Sequence, residues 1–216
     1  MPRTTFVVDD PMTRNAVMVA SRAPLETILV RTNDVTGEIE VDPANLTDAP
    51  RVVFAVPVAS LDTGIPLMND VMLGDRWLDA ARHPTIRFSL TRVTSPSRAR
   101  FVDRETIPIH GEGTLELRGA SHMVPVFADV TWLKKSEDTA RRLPGDLLHV
   151  AARLGVPLQT FGIESHLAAA SLDKVAGMLQ VEVDVFASTE RPEVPGDMRQ
   201  RLKDARTQLG QRLISA

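Results

Sequence analysis

Apolar and polar positions alternate along most of this chain. Val35, Gly37, Ile39 and Val41 are interleaved with Thr36, Glu38 and Glu40. Ile86, Phe88 and Leu90 alternate with Thr85, Arg87, Ser89 and Thr91, and Leu179, Val181, Val183 and Val185 with Gln180, Glu182 and Asp184. Val124 to Trp132 repeats the pattern, as does the shorter Leu115–Leu117. A period of two with one apolar face is the mark of a half-buried antiparallel strand. Val52 to Val58 is apolar on both faces, which predicts a strand whose outer side is also covered. Pro57 cannot donate to a ladder and should end it. Leu148 to Val156 also alternates. Gly155 and Pro157 oppose the competing helical reading, so a strand is expected there.

Helical signals are few. Met68 to Ala81 carries apolar residues without alternation and predicts short helical turns broken at Gly74. His83-Pro84 closes that segment before the next strand. Ser136 to Arg142 begins with a capping serine followed by acids and predicts a helix of about two turns. From Pro195 to Ile214, Met198, Leu202, Ala205, Leu209 and Leu213 form one apolar stripe at helical spacing. These elements predict an all-β fold, an antiparallel barrel or a sandwich with short helices. The expected division is a β domain over residues 1–188, then a linker and C-terminal amphipathic helix over 189–216.

Composition narrows the functional classes. The 216 residues carry a net charge of −3, which points away from nucleic acid as the main partner. With no cysteine, disulfides, thiolate metal sites and cysteine nucleophiles are excluded. The first apolar run, Phe6–Val8, is far shorter than a signal peptide requires, and no stretch approaches the ~20 apolar residues of a membrane span. The expected location is cytoplasmic, or periplasmic had a leader been removed. Aromatic residues make up only 4%, so the core must be aliphatic, and small inward-facing side chains can leave space.

Between Ser60 and Phe88 the sequence resembles the YceI-like family of lipocalin-like proteins. The resemblance rests on Ser60-Leu-Asp-Thr-Gly64, Trp77-Leu-Asp79 and His83-Pro-Thr-Ile-Arg-Phe88. Asn33 to Pro43, the Gly113–Gly119 hairpin motif, Ala152 to Ile163 and Leu179 to Ala187 extend it over residues 4–188. The chain departs from the family pattern at polar positions. Met68, Asn69 and Val71 stand where members carry an Arg-Asp pair and a His. Arg118 replaces a His, His122 a Lys, and Thr13-Arg14 a His-Ser pair. The resemblance implies a lipocalin-like antiparallel β-barrel of about eight strands, binding polyisoprenoids or isoprenoid quinones. The departures bear on the ligand more than on the fold.

An apolar lumen would suit a prenyl or acyl chain. Met68, Met72, Trp77 and Leu78 are the candidate mouth residues, since methionine adapts to irregular ligands. Phe88 and Phe161, which match aromatic positions of the family, are candidate lining residues. The expected guest is an isoprenoid quinone or polyprenyl lipid, with no covalent cofactor, no metal and no catalytic residue. The plain alternative is that these side chains only complete the core. Asp62-Thr-Gly64 matches the aspartic-protease tripeptide, but those enzymes need two such carboxylates; a turn explains it better. His83, His110, His122, His149 and His166 lack zinc-helix spacing, although His110 and His122 could face each other across a hairpin. An enzyme would need a polar cluster in the barrel, with Arg118, His110 and His122 as candidates. The C-terminal helix would pack on the barrel over Val52–Val58, pair with a second copy as a homodimer, or touch lipid. A plugged barrel acting through that helix is the alternative function.

Overall fold

The computed structural model describes residues 3–46, 50–96, 100–163 and 175–193. The tail from residue 194 onward, with the proposed amphipathic helix and its homodimer and lipid readings, lies outside the described residues, as does His166.

Among the described residues there are ten strands: β1 (Thr4–Val8), β2 (Ala16–Arg22), β3 (Thr27–Thr32), β4 (Thr36–Val41), β5 (Arg51–Pro57), β6 (Thr85–Pro96), β7 (Thr106–Leu117), β8 (Ala120–Leu133), β9 (Leu147–Pro157) and β10 (Met178–Ser188). They form one antiparallel sheet in the order β1-β4-β5-β6-β7-β8-β9-β10-β2-β3, closed by a β1–β10 pairing. Both β1 and β2 lie along β10, at Ser188 and at Gln180–Asp184 respectively. They are two halves of one interrupted stave, and β3 and β4 are two halves of the next. The result is a closed eight-stranded antiparallel barrel. Closure leaves no long open edge for another chain to extend.

Each predicted strand is present. β5 ends at Pro57 and β9 is a strand throughout. Helix α1 (Pro66–Leu73) stops at Gly74, and α2 (Glu137–Ala140) is capped reciprocally by Ser136 and Thr139. α2 is a single turn, shorter than predicted, because the chain must return to β9 at Leu147. The outer side of β5 is half-buried at Val53 and Ala55, beside Glu38, Glu40, Arg51 and Arg191.

The break between β1 and β2 is held by a buried polar knot. Asp10, whose side chain is only 1% exposed, pairs with both Arg14 and Arg142. It also accepts the backbone N–H of Met12 at 3.0 Å. Asn15 accepts the Phe186 N–H at 2.9 Å, tying the same loop to β10. Arg142 lies over the Phe186 ring, 4.6 Å from its centre. Burial opposes the charge on Asp10. The Arg14 hydrogen bond, the Met12 N–H and the two guanidinium charges outweigh that and hold its carboxyl below the ordinary range.

Inward-facing glycines shape the interior. A Cβ on Gly37 would meet the Phe54 ring at 2.6 Å and the Val53 carbonyl at 2.5 Å; one on Gly113 would meet the Phe88 ring at 2.2 Å and the Ser89 carbonyl at 2.8 Å. Phe54 and Phe88 are register partners on β5 and β6. Bare backbone on the flanking strands therefore lets both rings lie against the wall instead of across the lumen. Gly113→Ala is expected to cost about 1–3 kcal/mol by pushing Phe88 off its seat. Chemical denaturation should show a lowered midpoint at unchanged slope, and a midpoint equal to wild type would contradict the seat.

Candidate functional site

The barrel encloses a cavity of about 510 Å³. Alternation along every stave supplies its wall: Val17 and Val19 from β2, Ile28 and Val30 from β3, Val181 and Val183 from β10. Ala128 and Ala152, register partners on β8 and β9, both line it and widen it there. Among the described residues, apart from the indole N–H of Trp77, the lining residues with polar side chains are Ser21, Glu26 and Thr63.

All three sit at one end. The β2–β3, β5–β6 and β7–β8 connections gather there with the end of β9 and the start of β10, as antiparallel topology requires. Val71 on α1 lines the cavity and is 53% exposed, so the cavity meets solvent beside α1. Ile65, Leu67 and Leu25 are exposed on the approach to α1, on α1 itself and on the β2–β3 turn, giving the mouth an aliphatic rim. At the opposite end Leu46 and Phe101 are buried, and Phe101 packs against Trp132 with ring centres 6.5 Å apart.

Helix α1 has no fully buried residue. Polar contacts fix it instead. Asp62 accepts the Gly64 N–H and the Asn69 amide, both at 2.8 Å, and Gly64 has the positive φ of 77° that this turn requires. Asn69 in turn accepts the Thr63 N–H at 2.8 Å. Asp62 and Arg31 exchange backbone hydrogen bonds of 2.9 Å, which clamp the segment to β3. The Asn69 amide first, and the Gly64 N–H second, hold the Asp62 carboxyl below its ordinary value. Asp62-Thr63-Gly64 is therefore a turn that anchors the mouth helix, as expected. Asn69→Ala is expected to remove about 1–2 kcal/mol of local stability. The check is faster amide hydrogen exchange over 62–73 with β8 and β9 unchanged; equal protection would contradict the anchor.

Of the predicted site residues, Met68, Met72, Trp77, Leu78 and Phe88 all line the cavity. Phe161 does not. It is buried in the turn after β9, edge-on to His122 at 5.1 Å between ring centres. The expectation that His110 and His122 face each other is corrected by the register: His110 lies opposite Phe127, and His122 opposite Leu115. A hairpin turn at Arg118–Gly119 sets that register and separates the histidines along the strands. None of Arg118, His110 and His122 lines the cavity. Arg118 donates to the carbonyl oxygens of Asp75, at 3.0 Å, and Gly162. Among the described residues no three His, Cys, Asp or Glu side chains gather as a metal site. Glu26 and Ser21 were missed because β2 and β3 do not alternate cleanly. Met18 and Leu29 are apolar on the outer face and exposed, which hides the period that would have marked the inward positions.

The sequence profile of the YceI-like domain matches residues 8–187. The chain belongs to the YceI-like family. Solved structures of similar fold include BcnA of Burkholderia cenocepacia, 18% identical with a TM-score of 0.64 over 84% of this chain and 99% of that one. A polyisoprenoid-binding domain from Saccharophagus degradans is 17% identical, with a TM-score of 0.64 over 88% and 99%. The YceI protein of Campylobacter jejuni is 16% identical, with a TM-score of 0.58 over 74% and 85%. No match to a curated protein was found. Within the family frame this chain's departures have structural work of their own. Asn69 anchors the mouth helix, Arg14 pairs with buried Asp10, and Arg118 ties the hairpin to its neighbours. No helix among the described residues is long and apolar enough to cross a membrane.

Proposed function

We propose that this YceI-like protein binds and sequesters an apolar isoprenoid-type molecule, a polyprenyl lipid or an isoprenoid quinone, in its barrel lumen without transforming it. The observation that carries this reading is the 510 Å³ cavity walled almost wholly by aliphatic side chains. Burying ten CH₂ groups there gives roughly 8 kcal/mol of gross stabilisation at ~0.8 kcal/mol each. The solved polyisoprenoid-binding domain of the same fold supports the same ligand class. The reaction-poor lining supports binding over catalysis, because Arg118, His110 and His122 lie away from the lumen.

Trp77 reports on occupancy, since its ring lines the cavity. Titration with a prenyl quinone should quench tryptophan emission saturably at one ligand per chain. Emission that falls only as it does for free tryptophan would overturn the proposal.

A further inference from the structure

Glu26 stands out in the lumen wall. It is the one ionisable side chain among the described lining residues, and nothing in the aliphatic frame requires an acid there. The β2–β3 turn is closed by the Ala23 N–H donating to the Glu26 carbonyl at 2.9 Å. Glu26 shares the inward face with Ile28 and Val30. Ile28 is the register partner of Ser21, so Glu26, two residues before Ile28, is the diagonal cross-strand neighbour of Ser21. The Ser21 hydroxyl oxygen accepts the Ala176 N–H at 2.9 Å and keeps its own proton to donate. Thr63, the remaining polar side chain, is engaged with Asn69 and Ile65 in the α1 anchor. Neighbouring Arg22 is turned to the outer face, where it donates to Gln180. Among the described residues, the polar equipment facing a guest at the mouth is thus one acid and one hydroxyl.

We propose that Glu26 selects the headgroup: the lumen takes a neutral chain ending in a hydrogen-bond donor, such as a prenol or quinol, and rejects the same chain ending in a carboxylate or phosphate. The inference rests on the lumen-binding reading above. A terminal hydroxyl donates to Glu26 and accepts from Ser21. An anionic head placed there meets a like charge at the edge of an apolar cavity, where screening is weaker than in water. Cavity size sets the chain. At the ~30 Å³ occupied by a water-sized group, 510 Å³ holds about 17 such groups. A tail of three to four isoprene units, about 15–20 carbons, fills it.

The test is displacement of a bound environment-sensitive apolar dye at pH 7.5 by prenyl alcohols of 10, 20 and 40 carbons, and by the 20-carbon carboxylic acid and monophosphate. Wild type should favour the 20-carbon alcohol over both anions by about tenfold or more, and the 40-carbon alcohol should bind no better than the 20-carbon one. Glu26→Gln should weaken the alcohol and strengthen the acid, narrowing the alcohol-to-acid ratio to about threefold; Glu26→Lys should invert it. Equal wild-type affinity for alcohol and anions, a ratio unchanged in Glu26→Gln, or a tenfold preference for the 40-carbon chain would overturn the proposal. If no chain of any length displaces the dye, the lumen reading itself fails and the headgroup proposal with it.

Discussion

Ala128→Trp is expected to abolish ligand capture while leaving the barrel folded. Ala128 and its register partner Ala152 face each other across the β8–β9 ladder, and both line the cavity. An indole at position 128 would extend into space that is empty of protein, so the usual cost of overpacking does not apply. Stability should stay within about 1 kcal/mol of wild type. Affinity should fall by about 100-fold or more. That is roughly 3 kcal/mol, the burial of about four CH₂ groups displaced by the indole. Thermal unfolding and ligand titration of the same sample separate the two effects. A variant that binds normally would place the ligand elsewhere; one that fails to fold would show the lumen to be packed.

The second large effect is on stability. Asp10→Ala removes the acid that two guanidinium groups share at the β1–β2 break. Breaking a buried ion pair from one side costs about 3–5 kcal/mol. Arg14 and Arg142 retain 38% and 21% exposure, so water can take up part of their charge and the loss should lie near 3 kcal/mol. For a domain of this size that lowers the melting temperature by roughly 6–12 °C. The pH dependence has a definite sign. The folded Asp10 carboxyl titrates below its ordinary value of 3.8, so its contribution is present above that pH and is lost as the pH falls through the folded value. Asp62 is depressed in the same sense and adds to this acid limb. Wild type and Asp10→Ala should therefore differ most at neutral pH and converge toward pH 2. Parallel stability curves across the acid range would contradict the assignment.

Most of the barrel was legible in the sequence because its staves alternate. β4, β6 and β10 carry acids, arginines, threonines or other polar residues outside and apolar residues inside, and β8, although Met123 and Phe127 are exposed on its outer face, keeps aliphatic residues at its inward positions; each emerged where the period placed it. The first three strands did not. β1 is only Thr4–Val8, too short to show a period. β2 carries Ala16, Met18 and Ala20 on its outer face, which does not read as polar, and in β3 Leu29 interrupts an outer face otherwise made of Thr27 and Arg31. β2 bears Ser21, and Glu26 stands in the turn between β2 and β3, which is why the mouth was incompletely read from sequence. Phe161 followed the family pattern but packs on His122 beneath a turn. A residue's position in a motif fixes its neighbours along the chain, not whether its ring reaches the lumen.

The glycines show the converse. In the sequence Gly37 is one position of an alternating strand face and Gly113 opens a hairpin motif, and neither marks a packing role. In the barrel they are the seats for Phe54 and Phe88, whose rings occupy the space a Cβ would take. In this chain lumen width depends on what the inward wall omits, at Gly37, Gly113, Ala128 and Ala152, as much as on its aliphatic residues.

The most direct test of the lumen as binding site is native mass spectrometry of the protein purified from its own host, with organic extraction of whatever it carries, run beside Ala128→Trp produced in the same way. The account predicts a stoichiometric isoprenoid lipid or quinone on wild type and none on the variant. Equal loading of the two proteins, or an empty wild type that also takes up no prenyl lipid offered to it, would contradict it.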